Sequence, residues 1–423
     1  MAVNHQRSTI CALILAGMLL FTSRSAAQTA TPEMKIIHSF QGGTTDGSGP
    51  MAGIVVGSRG VLYGTTNGGG SSNLGTVFAL KPPAVSGATW TESVIHSFHG
   101  EDGAVPAITL VLGSGGVLYG ATAQGGGTTA CSGGCGTVFS LTPPPADSTS
   151  WTETVLYRFT GESDGSSPTG LTISPGGVLY GTTDNIASSG VGTVFSLAPP
   201  ATAGGAWTET VLFAFSGQDG GDPTGGVVVA GDGSLYGTTF GGGAGDTGVV
   251  FRLKPPATPG DEWTETVLYS FTGSEGNFPS AGVVIGSGGV LYGAAGVGGR
   301  FGDGTIYSLT PPSSAGAGWA IDVLLNFDGT NGNSPIANVT IGSGGGLYGT
   351  TNAGGASNLG TLFALVPPSV SGGSWTEILL HSFAGSPDGS IPSAPVSIAP
   401  SGAVYSTTTN GGTAGLGTVF TFQ

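Results

Sequence analysis

One unit of sequence is written seven times, and it limits the chain to repeat architectures before any single residue is weighed. The Tyr of an LYG core recurs at Tyr63, Tyr119, Tyr180, Tyr236, Tyr292 and Tyr348, and as VYS at Tyr405, in steps of 56, 61, 56, 56, 56 and 57 residues. The cleanest copy runs from Trp263 to Pro312. Its outer parts alternate: Trp263, Glu265, Val267, Tyr269 and Phe271 are interleaved with Thr264, Thr266, Leu268 and Ser270. That period of two, with β-branched and aromatic residues between Gly, Pro and Ser, predicts strands at Trp263–Phe271, Ala281–Ile285, Val290–Ala294 and Thr305–Leu309. The link Gly286-Ser287-Gly288-Gly289 is a turn in which glycine takes positive φ without penalty. No window carries apolar residues at helical spacing, and 83 Gly with 26 Pro oppose helices.

Four strands in a meander, with apolar inner strands that need cover on both faces, predict an all-β fold: a seven-bladed β-propeller of four-stranded antiparallel blades. The repeat is somewhat longer than the ~40–50 residues of common propeller units and well beyond the ~20–30 of single-turn solenoids. A parallel solenoid or a sandwich array is the alternative. A Pro opens the second strand of every copy (Pro50, Pro106, Pro168, Pro223, Pro279, Pro335, Pro392), which suits a strand start because Pro lacks an N–H. The segment that follows resembles the inner and second strands of NHL-type propellers, and this makes the Trp-bearing strand outermost. The chain then begins with an outer strand, Ile36–Phe40, and ends with an inner three, Ala394–Phe422, so an N-terminal strand closes the last blade and leaves no free sheet edge.

Residues 1–27 read as a secretory signal: Arg7, then an apolar run from Ile10 to Phe21, then Ser25-Ala26-Ala27 before a cut at Gln28. The run is too short to span a membrane as a helix, and Cys11 within it is incidental. Loss of Arg7 and Arg24 takes the formal net charge from −15 to −17. Such an acidic surface repels nucleic acid and anionic membranes. Residues 28–423 form a single seven-repeat domain; the phased stretches such as KPPAVSGAT are blade-edge loops, and nothing reads as a linker or a spanning tail. Cys131 and Cys135 sit in the one sizeable insertion and, in an exported chain, read as a local disulfide; a metal pair lacks a third ligand nearby.

The unit W-T-E-T-V-L-Y-S-F-x-G…G-G-V-L-Y-G-T-T…G-T-V-F-x-L, across essentially the whole mature chain, resembles the GloVer (Gloeo-Verruco) tandem repeat of exported, choice-of-anchor bacterial proteins. The resemblance implies export and surface display. The anchor some relatives carry is not apparent, which favours release into periplasm or medium. The family supplies no catalytic residues to transfer.

Two loop families are expected on one face. One carries an acidic residue beside a Gly at Asp46, Asp102, Asp164, Asp219, Glu275 and Asp388, with Asn331 in the seventh copy. A ring of carboxylates at a propeller mouth suits cations, calcium being the one cofactor considered, but Asp-Gly is also ordinary turn chemistry, and the spacing matches no EF-hand. The other family is Gly-rich. Its departures from consensus gather at Phe240 and Asp246, at Phe278 in the neighbouring acidic loop, and at Arg300, Phe301 and Asp303. Aromatics with Arg and carboxylates suit a sugar; variation in tolerant surface loops is the plainer explanation. Asp246 and Asp303 are the weak catalytic pair for glycoside chemistry. The recurrent Glu of W-T-E (Glu92, Glu153, Glu209, Glu265, Glu377, with Asp322) reads as a solvated edge charge, His38, His96 and His381 as packing residues in a column shared with Tyr157 and Tyr269, and His99 as a lone loop base. No nucleophile elbow, zinc helix or phosphate loop is present. The expectation is an exported, monomeric, non-enzymatic propeller that binds glycan or an extracellular protein without a cofactor. The alternative is a polysaccharide hydrolase or lyase with its site at the mouth.

Overall fold

A computed structural model describes residues 32–85, 87–185, 190–202, 204–258, 260–314, 316–370 and 372–423. The signal segment 1–27 lies outside the described residues. The chain forms seven four-stranded antiparallel sheets in a ring, plus a small pairing of Gly47–Ser48 with Gly68–Gly69. Blades 1 to 6 span residues 55–97, 111–158, 166–214, 227–270, 284–326 and 340–382, each in order from inner to outer strand. Blade 7 takes Ser397–Ile398, Val404–Thr408 and Thr418–Phe422 from the C-terminal end and Met34–Ser39 from the N-terminal end as its outer strand. Met34 faces Phe422 and Ser39 faces Thr418, so the two ends of the domain are held in one sheet. The Trp-bearing strand is outermost, as the phase argument required.

The core lies between blades. The Phe that ends each outer strand meets, edge to face, the aromatic of the next blade's third strand: Phe98 with Phe139 at 5.1 Å, Phe159 with Phe195 at 5.2 Å, and across the seam Phe40 with Phe78 at 5.1 Å. Such pairs add ~0.5–1.5 kcal/mol each beyond the area they bury. The LYG glycine is set by this column: a Cβ on Gly64 would lie 2.5 Å from the Phe78 ring, so only glycine lets the ring lie over the second strand. On the opposite edge of the blade the LYG Tyr packs against the next blade's Trp, as in Tyr63–Trp151 and Tyr292–Trp375. Tyr348 has no such Trp because Pro32 occupies that register.

Apart from Ser166–Ile173 in blade 3, the inner strands are shorter than the sequence pattern predicts. In blade 5 only Val284–Ile285 pairs with its own sheet, whereas Ala281–Ile285 carries strand composition. The upper half turns its hydrogen bonds around the ring instead: the Gly282 N–H donates to Asn338 Oδ1 at 2.7 Å, Gly53 N–H to Thr109 Oγ1 at 2.9 Å, and Thr340 Oγ1 to the Val396 carbonyl at 2.6 Å. At the seam Ser397 Oγ donates to the Ile54 carbonyl, which completes the circle. In every blade the third and outer strands slip by one residue; in blade 1 Val77 faces His96 while Phe78 faces Val94. A bulge of this kind twists an exposed edge and re-aims the residue beside it. Here that residue belongs to the outer-strand column of His38, His96, Tyr157, Phe213, Tyr269, Leu325 and His381.

Candidate functional site

The two loop families share one face, as expected, and pair with each other: Gly221 with Gly241, Asn277 with Val297, Asn333 with Ala353. Where they meet, the residue before each strand-opening Pro is left-handed: Gly49 (φ 62°), Val105 (56°), Ser167 (52°), Asp222 (56°), Phe278 (53°), Ser334 (56°) and Ile391 (58°). Six of these are not glycine, two are β-branched, and a following Pro adds further steric restriction. Two backbone hydrogen bonds hold each conformation in place. In blade 4 the Asp222 N–H donates to the Val191 carbonyl at 3.1 Å, and the Phe240 N–H donates to the Asp222 carbonyl at 2.8 Å. Strain kept at one place by surrounding bonds clusters where a surface has a task. This column varies freely in side chain while its neighbours repeat.

The variation is concentrated on one arc. Phe240 and Phe278 stack at 4.9 Å with 23° between ring planes, the only parallel stack among the described aromatic pairs, and Phe240 stays 38% exposed. Beside Phe240 stand Asp222 and Asp246. Asp246 Oδ1 lies 3.7 Å and Asp222 Oδ2 3.8 Å from the point where Gly241 would carry a Cβ, so the two oxygens are at most 7.5 Å apart. Burial, then the charge of Asp246, raises the Asp222 carboxyl above its ordinary range. Burial, then the charge of Asp222, does the same to Asp184 at the end of blade 3's second strand. The arc is therefore an aromatic platform flanked by carboxyls whose like charges oppose ionisation.

Phe240, Phe278 and Asp246, which stand out in the sequence, lie together in the structure. Asp222 and Asp184 do not stand out in the sequence. Gly-Asp-Pro reads as a plain turn, and the signal that marks Asp222 is the comparison down the pre-proline column, where it stands among Gly, Val, Ser, Phe and Ile. Asp246 also has a structural duty: its Oδ1 accepts the Gly242 N–H at 2.9 Å from a left-handed turn position (φ 54°), as Asn73 and Asn358 do for Gly69 and Gly354. Asp303 is engaged elsewhere, accepting Asn333 Nδ2 at 2.5 Å, and no bond joins it to Asp246. Arg300 lies over the Phe301 ring at 5.2 Å while its N–H is held by Asn326; Phe301 is 52% exposed. This second aromatic feature belongs to the neighbouring hairpin.

Each carboxylate of the acidic ring is engaged by its own loop. Asp46 accepts the Gln41 and Gly47 N–H groups, both at 2.7 Å. Asp164 accepts Thr160 N–H, Thr160 Oγ1 and the Tyr157 hydroxyl. Asp219 accepts Ser216 N–H and Oγ, and Glu275 accepts Thr272 N–H and Oγ1. Asp102 and Asp388 pair with His96 and His381 at 3.0 and 2.9 Å and cap their turns as well. Burial pulls Asp46 and Asp102 upward, but these hydrogen bonds and the adjacent histidines leave both below the usual carboxylate range. Among the described residues no three acidic, His or Cys side chains gather in metal-binding geometry. The outer-strand histidines thus have a polar function that the column of Tyr and Phe concealed.

The W-T-E glutamates are not solvated edge charges. In Glu92, Glu153, Glu209 and Glu265, Oε1 is closed to water and meets no hydrogen-bond partner among the described residues, and burial followed by the charge of the preceding blade's acidic turn (Asp46, Asp102, Asp164, Asp219) pushes each carboxyl up to about 7. In blade 6 the corresponding Glu377 accepts Asn331 Nδ2 at 2.9 Å. The physical reason is the ring itself: the edge of one blade is covered by the acidic loop that follows the outer strand of the preceding blade. Cys131 and Cys135 are bonded to each other. Both sulfurs press on Gly161 of the following loop, and Cys135 is fully buried with Phe159 and Ile108, so the bridge also roofs an inter-blade core.

No helix among the described residues is long and apolar enough to cross a membrane. The Gloeobacter/Verrucomicrobia repeat profile matches residues 25–206 and 200–420. No curated protein matches the chain. Among solved structures, a polysaccharide lyase, an ulvan lyase bound to a glucuronic acid–rhamnose 3-sulfate unit, is 12% identical over 89% of this chain and 94% of its own, with a TM-score of 0.51. A protein of unknown function from Dyadobacter fermentans is 12% identical over 92% and 97%, with a TM-score of 0.45. The sialidase of Trypanosoma rangeli is 15% identical over 81% of this chain and 57% of its own, with a TM-score of 0.41. At these identities the likeness concerns the fold.

Proposed function

The chain belongs to the Gloeobacter/Verrucomicrobia repeat family, and from that premise we propose that it is an exported, monomeric propeller that binds glycan at its mouth without cleaving the glycan backbone. The observation that carries this reading is the exposed Phe240–Phe278 stack with Asp222 beside it and Asp184 close enough to Asp222 to feel its charge. A pyranose ring lays its C–H face on such a platform, and carboxyl oxygens accept its hydroxyls, which fixes orientation. The charge balance selects among sugars. With 24 acidic against 9 basic residues in the chain and a carboxyl cluster at the platform, sulfated or uronic ligands are repelled, and neutral or amino sugars are favoured. No cofactor is required in this reading, since the ring carboxylates already serve their own turns.

A second reading, a glycoside hydrolase or lyase, is favoured by one specific observation: Asp184 and Asp222 hold their protons more tightly than ordinary carboxylates, which is the environment a general acid needs. One experiment addresses both. The mature protein is screened on a glycan array with and without calcium, and every bound glycan is analysed for cleavage. Binding to intact neutral or amino sugars that is lost in Phe240→Ala and Phe278→Ala supports the proposal. Cleaved or unsaturated product supports the second reading, and binding that survives both substitutions contradicts the proposed site.

A further inference from the structure

On the same face, between blades 1 and 2, three side chains stand in hydrolase order. Ser71 Oγ lies 3.3 Å from His99 Nε2, and His99 Nδ1 lies 3.5 Å from Asp102 Oδ2. Asp102 is fixed from behind: its Oδ1 accepts the His99 N–H at 2.7 Å, and its Oδ2 is 3.0 Å from His96 Nε2. Burial pulls the Asp102 carboxyl upward, yet these bonds hold it below the usual range, so it remains an anion that can orient an imidazole. Burial also depresses His96, which therefore supports the carboxylate without neutralising it. The hydroxyl and the imidazole both face solvent, His99 with 61% of its side chain exposed. Distances at the long end of hydrogen bonding are usual for a nucleophile and base with no substrate between them.

The repeat makes the grouping specific. In blade 7 the same two places hold Thr413 and Gln41, bridged at 3.0 Å by Gln41 Nε2. In blades 4, 5 and 6 they hold Ala244 and Thr272, Arg300 and Asp328, and Ala356 and Ala384. The fold thus positions a side chain from the hairpin against one from the acidic loop, and in blade 1 that pair is a serine and a histidine with a carboxylate behind it. The serine's own turn is fixed by Gly69 N–H to Asn73 Oδ1 and by Asn73 N–H to the Gly70 carbonyl. Within it the N–H groups of Ser71 and Ser72 donate to nothing among the described residues, which leaves two backbone donors beside the hydroxyl.

We propose that Ser71, His99 and Asp102 form an acyl-ester hydrolase site at the rim of the mouth, separate from the Phe240–Phe278 platform. Ser71 Oγ adds to the carbonyl carbon of the ester as its proton passes to His99 Nε2, and Asp102 stabilises the imidazolium through Nδ1. The Ser71 and Ser72 N–H groups are the donors available to the tetrahedral oxyanion. The ester C–O bond then breaks, the alcohol leaves with the proton from His99, and acyl-Ser71 remains. Water adds to the acyl carbon, its proton passing to His99. Collapse releases the carboxylic acid and returns the proton to Ser71. Ser71 and His99 are both exposed, so the site takes short acyl groups such as acetyl on an exposed, neutral polymer.

The test uses the full mature protein with p-nitrophenyl acetate as substrate and a fluorophosphonate as covalent probe, with the adduct located by peptide mass mapping. The expected result is an adduct on Ser71 that is absent in His99→Gln. Hydrolysis should fall by at least ~100-fold in Ser71→Ala and His99→Gln, the usual weight of general acid–base catalysis. Gln is the residue blade 7 uses at this place, so His99→Gln is expected to keep the parent unfolding midpoint. No adduct, an adduct on another serine, labelling of Ser71 that persists in His99→Gln, or a hydrolysis rate unchanged in Ser71→Ala would each overturn the proposal. Glycan binding by the platform is read separately and stays intact in these variants.

Discussion

Replacing Tyr307 by Phe should make this protein more stable. The third-strand aromatic is Phe78, Phe139, Phe195, Phe251, Phe363 and Phe420 in six blades and Tyr307 in blade 5. Tyr307 is completely buried, packs edge to face on Phe271 at 5.2 Å, and its hydroxyl has no hydrogen-bond partner among the described residues. Burial alone raises its pKa, because nothing stabilises the phenolate. An unsatisfied buried hydroxyl costs ~1–3 kcal/mol. Tyr307→Phe removes that cost and leaves the ring in a slot shaped for Phe six times over. A gain of ~1–2 kcal/mol multiplies the folded-to-unfolded ratio by ~5–30. The assay is urea unfolding followed by tryptophan fluorescence, with Phe251→Tyr as the reciprocal change, expected to lose a similar amount. If Tyr307→Phe lowers the midpoint, the hydroxyl has a partner or the slot a shape that the packing argument does not include, and the argument is refuted.

Two further outcomes follow from the ring. Removing residues 32–40 should destabilise the domain far more than trimming an ordinary terminus, because it takes away the outer strand of blade 7 and Phe40, whose side chain alone represents ~3–5 kcal/mol; a truncated chain with the parent melting temperature would contradict the closure. The pH dependence has a definite sign. Glu92, Glu153, Glu209 and Glu265 are raised from 4.5 to about 7, so the folded state binds protons more tightly, and the stability this brings is full below 4.5 and lost as pH rises to 7. Asp46 and Asp102 are lowered, so their contribution is lost as pH falls through the acid range. The melting temperature is therefore expected to be higher at pH 5 than at pH 8, and a flat or rising profile across that window would count against the buried glutamates.

The repeat fixes the blade count and the meander, because one Trp-bearing strand and one Pro-opened strand recur in register, while the phase comes from the resemblance of the Pro-opened segment to the inner strands of NHL-type propellers. What periodicity does not reveal is where a strand's hydrogen bonds go. Ala281–Ile285 has strand composition throughout, yet its upper half bonds to Asn338 of the neighbouring blade, a ring effect without a local signature. The W-T-E glutamates mislead for the same reason: alternation places them on an outer edge, and only closure shows that a neighbouring loop covers them. Phe240 and Phe278 are legible as breaks in their columns. Asp222 and Asp184 are not, because an Asp before Pro or after Thr is common in turns, and its meaning depends on the charge that folding places beside it. Likewise His99 reads as a lone base until the hairpin brings Ser71 to it.

The account's central claim is that ligand binding resides in the asymmetric arc at the mouth, and titration of a neutral or amino-sugar ligand from the array tests it most directly. Calorimetry of the parent, Phe240→Ala and Asp222→Asn, each with its melting temperature recorded, is the measurement. The account predicts one site per chain, at least tenfold weaker binding in Phe240→Ala, weaker binding in Asp222→Asn, and melting temperatures close to the parent. Binding that is unchanged in both variants, or several equivalent sites per chain spread over the repeats, would contradict it.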